Sequence, residues 1–96
     1  MTKKIKITYL RGATKFLKKN SFAITENEVD MLIIKFVKKR FFGADINIDY
    51  KQMSGKLKSF YRIRRGKIRI IVEVVDNEII IEAIVNDVGF RGDIYK

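Results

Sequence analysis

Apolar and polar positions change their period along this chain, and the changes mark out its elements. Ile5, Ile7 and Tyr9 alternate with Lys4, Lys6 and Thr8, the two-residue period of a strand with one face buried. Residues 12–19 then read as a short helix turning Phe16 and Leu17 inward, interrupted by Asn20-Ser21. A longer helix follows. Thr25 and Glu28 have the spacing of a capping box, in which the threonine hydroxyl takes the Glu28 amide and the glutamate reaches back. Val29, Leu32, Ile33, Phe36 and Val37 recur on one face at helical spacing. Lys38, Lys39 and Arg40 sit where cations suit the end of the helix dipole, and Gly43 fits the stop. Residues 45–55 read as a connecting loop, although Ile46, Ile48 and Tyr50 alternate over a short extended piece.

The remainder reads as sheet. Residues 57–64, 67–75 and 78–85 are rich in β-branched and aromatic side chains, with Arg65-Gly66 and Asp76-Asn77 as turns between them. Residues 88–95 are expected to add an edge strand. The order β-α-α-β-β-β predicts an α+β fold in which a helical pair packs on one face of a mainly antiparallel, twisted sheet. With no proline, repeat or low-complexity stretch to mark a linker, residues 1–96 are expected to form one domain.

Composition narrows the chemistry. Cysteine is absent, so disulfides and thiolate metal sites are out of reach. Histidine is absent too, which removes the usual general base at neutral pH and the commonest metal ligand. No metal and no cofactor are expected, and any catalysis must run on Arg, Lys, Tyr, Ser, Thr or carboxylates. The formal charge of +10, from 21 Lys and Arg against 11 Asp and Glu, points to a polyanion or an acidic protein as partner. No apolar run approaches the roughly 20 residues of a membrane span, and no secretory signal opens the chain, so a cytoplasmic location is expected.

That charge is concentrated. Between residues 51 and 72 stand Lys51, Lys56, Lys58, Arg62, Arg64, Arg65, Lys67 and Arg69, with no acid among them. Strand parity puts Arg62 and Arg64 on one face and Tyr61 and Ile63 on the other. A two-residue turn at Arg65-Gly66 would set Arg64 opposite Lys67 and Arg62 opposite Arg69. Like charges directly opposed across a sheet destabilise it by a few tenths to about 1 kcal/mol. Phosphates lying over the cluster would reverse that sign, because guanidinium forks match their oxygens.

The stretch GKLKSFYRIRRGKIRIIVEV resembles the sheet core of the RelE/ParE toxin superfamily, and the ending VGFRGDIYK resembles that family's closing motif. The resemblance covers essentially the whole chain. It implies a RelE-like fold and the activity of a type II toxin: a ribosome-dependent, metal-independent endoribonuclease that cuts mRNA in the A site and arrests translation. The partners it implies are the 70S ribosome, mRNA and a cognate antitoxin that forms a hetero-oligomer with the toxin, with no membrane involved. The alternatives are a ParE-like inhibitor of gyrase without nuclease activity and an inactive RNA-binding relative.

Carried onto this sequence, the family's basic set falls on Arg62, Arg64, Arg69 and Arg91, with Tyr95 as the late tyrosine. Arg64 and Arg69 would hold the scissile phosphate and stabilise its pentacoordinate state, and Arg62 a neighbouring phosphate. Arg91 would face the leaving group, and Tyr95 a base or the 2′-hydroxyl. Arg65 and Lys67, beside the turn, would add RNA contacts, and Lys51, Lys56 and Lys58 would contact ribosomal RNA. Arginine almost never gives up its proton, so the general base is left open among Tyr95, Glu73 and Asp93.

Overall fold

The alternation of Ile5, Ile7 and Tyr9 becomes strand β1 (Lys4–Tyr9) in the computed structural model, which describes residues 3–55, 59–77 and 79–90. Helix α1 (Arg11–Lys19) buries Ala13 and Leu17, and sets Phe16 edge-on against Phe90 with ring centroids 5.3 Å apart. Helix α2 (Glu26–Phe42) starts at the capping box that its sequence spacing predicts. The Thr25 hydroxyl accepts from the Glu28 amide at 3.2 Å, and Glu28 Oε1 accepts from the Thr25 amide at 3.1 Å. It stops at Gly43, whose φ of +71° is left-handed and suits a residue without Cβ.

Strands β2 (Asp49–Gln52), β3 (Phe60–Arg65), β4 (Ile68–Asp76) and β5 (Ile80–Phe90) complete a five-stranded sheet in the order β1-β5-β4-β3-β2. β1 runs parallel to β5, and the other three pairings are antiparallel. The fold is therefore α+β, with two helices on a mainly antiparallel sheet. Among the described residues, the buried hydrophobic side chains form one cluster, between the helices and the sheet face that carries Tyr61, Ile63, Ile70, Val72, Ala83 and Val85. A second tie joins β1 to α2: the Tyr9 hydroxyl donates to an Asp30 carboxylate oxygen. Burial first, and then that carboxylate, push the Tyr9 phenol far above the ordinary tyrosine range.

Three expectations are corrected. Part of the expected loop at 45–55 is strand β2, because Tyr50 turns inward against Phe36, 5.1 Å between centroids, and thereby lays Asp49–Gln52 along β3. Residues 88–90 do not begin a separate edge strand. They continue β5, which passes a β-bulge at Asn86 and stays paired with β4 as far as Phe90. The β3–β4 turn is Gly66–Lys67, not Arg65-Gly66, so Arg64 faces Arg69 and Arg62 faces Ile71.

The turn has a backbone reason. Gly66 has φ +58° and no other residue than glycine takes positive φ among the described residues. Glycine at the first central position gives the signs of a type II′ turn, whose twist matches the strands. Centring the loop one residue earlier would need either a left-handed Arg65 or a turn that splays the strands.

Candidate nucleic-acid interface

The sheet face turned away from the helices is covered by no described element, and its side chains follow from the register. One row across it reads Asp49, Arg64, Arg69, Gly89, and the next reads Lys51, Arg62, Ile71, Asp87. Arg62, Arg64 and Arg69 therefore share one face, with Arg64 directly across from Arg69. In the alternation of an antiparallel pair, a position one step in from a two-residue turn is the narrow kind, with Cα atoms only about 4.5 Å apart. Gly89, opposite Arg69 on β5, carries no side chain.

All three arginines are half-buried. The Nε atoms of Arg62 and Arg64 are screened from solvent and donate no hydrogen bond. A covered donor without an acceptor costs about 1–3 kcal/mol. The ion pairs of the described residues join Lys3 to Asp76, Lys6 to Glu82 and Arg65 to Glu28, and none involves Arg62 or Arg64. A pair of facing cations, with the Nε donors of Arg62 and Arg64 unfilled, makes a site for an oxyanion such as phosphate, two of whose oxygens a guanidinium fork can meet at once.

The other expected residues divide. Lys51 lies opposite Arg62 on the same face, and the two line a hollow of about 340 Å³ at the β2 edge together with Gln52, Met53 and Ser54. Arg65 has the opposite parity: it lies on the helix side, 3.2 Å from Glu28 of α2, and so away from the arginine face. Lys67 is exposed at the tip of the turn. Arg91, Tyr95, Lys56, Lys58 and Asp93 lie outside the described residues.

Glu73 is on the arginine face but stands four residues along β4 from Arg69, about 13 Å at a strand's rise, and cannot take a proton beside the Arg64–Arg69 pair. Two carboxylates that the sequence reading passed over border the cluster instead. Asp49 is opposite Arg64, and Asp87 is diagonal to Arg69. Asp49 was legible by parity, two residues before Lys51. Asp87 was not, because the bulge at Asn86 decides which way it points. Among the described residues no group of three or more acidic, cysteine or histidine side chains could hold a metal ion, and no helix is long and apolar enough to cross a membrane.

Comparison with solved structures covers nearly the whole chain. YafQ from E. coli strain BL21(DE3) superposes with a TM-score of 0.66 at 10% identity, over 97% of this chain and 100% of that one. A chain of the RelB-RelE antitoxin-toxin complex from Methanococcus jannaschii gives 0.57 at 21% identity, over 92% and 94%. The YoeB dimer from Staphylococcus aureus gives 0.58 at 15%, over 92% and 98%. The chain has the RelE-like toxin fold. The sequence itself matches no family model and no curated protein. Within the RelE-like fold of this chain, the helices occupy one side of the sheet and the three arginines the other.

Proposed function

We propose that this protein is the toxin of a type II toxin–antitoxin pair, a cytoplasmic endoribonuclease that enters the ribosomal A site and cuts the mRNA there. The observation that carries this reading is the narrow Arg64–Arg69 pair, with Arg62 beside it, on a sheet face where two buried guanidinium donors lack acceptors. The RelE-like fold supports it, since the chains sharing that fold include one from an antitoxin-toxin complex.

The chemistry suits such a face. The 2′-hydroxyl attacks the adjacent phosphorus; the new 2′-O–P bond forms as the P–O5′ bond breaks, leaving a 2′,3′-cyclic phosphate and a 5′-hydroxyl. Arg64 and Arg69 hold the phosphoryl oxygens as they gain charge, a contribution of a few kcal/mol per well-placed donor. Arg62 and Lys51 bind the neighbouring phosphate and fix the in-line geometry. Asp87 takes the proton of the 2′-hydroxyl, Arg91 serves the leaving-group side, where the 5′-oxygen regains a proton, and Tyr95 contacts a base or the 2′-hydroxyl. Lys56 and Lys58 contact ribosomal RNA. The antitoxin is a protein that covers the arginine face or adds bulk that bars entry to the A site.

Cleavage of mRNA on programmed ribosomes tests this. Arg64→Ala and Arg69→Ala are each expected to slow cutting about 10²–10³-fold while still binding ribosomes. Variants that cut as fast as wild type would refute the site. A wild type that leaves mRNA whole but traps gyrase and triggers DNA-damage signalling would refute the activity.

A further inference from the structure

A run of positive charge outside the arginine face lies on the helix side. Residues 10–25 carry Arg11, Lys15, Lys18 and Lys19 and no acid at all. All four cations are exposed, and none enters an ion pair among the described residues. Arg11, Lys15 and Lys18 follow one another at spacings of four and three, so they form a single stripe about 10 Å long along α1. The helix buries Ala13 and Leu17 on its other side, so this stripe points away from the sheet.

Local physics opposes this arrangement. Like charges at these spacings repel, and Arg11 in the first turn opposes the helix dipole. A helix that needed only a solvated outer face would place glutamates here and gain attraction from them. One turn beyond α1, Phe22 leaves 83% of its surface in solvent. It walls a hollow of about 440 Å³ whose other sides are Ile24, Ile68, Phe90 and Lys67, with Arg65 answered by Glu28. An aromatic face, apolar walls and a lysine at the rim suit a single unstacked base.

We propose that α1 and the hollow after it form a second RNA-binding surface, with backbone phosphates along Arg11, Lys15 and Lys18 and an unpaired base against Phe22. This surface deepens the ribosome reading and rests on it for its biological partner, a segment of structured ribosomal RNA on the side of the protein opposite the mRNA. The charge match selects RNA over an apolar partner: a duplex carries one negative charge per about 1.7 Å of axis counting both strands, so a length matching the stripe holds roughly six, of which the near strand's three can meet the three cations.

The test is anisotropy titration of a short stem–loop RNA with an unpaired loop, over a range of salt. Arg11→Gln/Lys15→Gln/Lys18→Gln is expected to weaken binding at least tenfold at low salt and to lower the slope of log K against log salt by about 2. Phe22→Ala is expected to lose about fivefold or more without changing the slope, and Phe22→Trp to keep wild-type affinity. Arg11→Lys/Lys15→Arg/Lys18→Arg restores binding, which separates charge from folding. An unchanged affinity and slope in the triple glutamine variant overturns the proposal. So does a triple variant that loses polyglutamate binding but keeps RNA, which would make α1 a protein-docking face. Cleavage on saturating ribosomes separates this result from the catalytic reading. The triple variant should cut within about twofold of wild type, and a wild type that cuts nothing sinks the enzyme while the titration still decides the surface.

Discussion

Arg64→Met removes one guanidinium from the narrow pair yet keeps an unbranched side chain of similar reach. Three effects decide the change in stability. Relief of the Arg64–Arg69 repulsion contributes about 0.5 kcal/mol. Relief of the covered, unfilled Arg64 Nε contributes about 1 kcal/mol. Loss of attraction from Asp49, its neighbour on β2, subtracts about 0.5 kcal/mol. The net is a stabilisation of about 1 kcal/mol, or a rise in Tm of about 4–8 °C for a domain of this size.

Salt separates the components. Between about 0.01 M and 1 M salt the Debye length falls from about 30 to 3 Å, so the repulsion and the Asp49 attraction fade together while the desolvation does not. Thermal melts followed by circular dichroism should therefore show the variant's advantage persisting, little changed, across this range of salt. The same variant should cut mRNA at least about 100-fold more slowly, a gain in stability at the expense of activity. A variant less stable than wild type at low salt, or an advantage that vanishes at high salt, would refute this account of the face.

Phe36→Ala empties the centre of the aromatic cluster, where Phe36 is fully buried against Tyr61, Tyr50 and Phe41; a loss of about 3–5 kcal/mol is expected in urea unfolding. Thr25→Ala removes the capping box and should cost about 1 kcal/mol in the same assay, with α2 otherwise intact. For Tyr9, a phenol whose pKa is raised in the fold, stability is complete below the unfolded value near pH 10 and falls as pH climbs beyond it. Tyr9→Phe should cost about 1 kcal/mol at neutral pH and flatten that alkaline decline relative to wild type, measured by melts from pH 8 to 11.

The two helices were legible because their signals are local. The Thr25–Glu28 cap, the apolar stripe of α2 and the Gly43 stop each act within a few residues. The arginine face was legible in part: parity alone joins Arg62 to Arg64. Their partners across the hairpin depend on which residue supplies the positive φ, and a shift of one in the turn moved Arg69 from Arg62 to Arg64. β2 escaped because its pairing is fixed by Tyr50 meeting Phe36, a contact between residues distant in sequence. Asp87 escaped because the direction of its side chain depends on an extra residue in β5 that no two-residue period announces.

That extra residue gives β5 two reading frames. Before Asn86 the odd-numbered positions Ile81, Ala83 and Val85 are buried; after it the interior takes Val88. Were β5 to run in unbroken two-residue alternation with Asn86 kept, it would exchange its two sides beyond Val85, carrying Asp87 into the oil and spilling Val88 and Phe90 onto the surface beside Arg69. A single inserted backbone unit thus lets one strand serve the interior along its whole length while leaving a glycine, in place of a bulky neighbour, where a phosphate would need room.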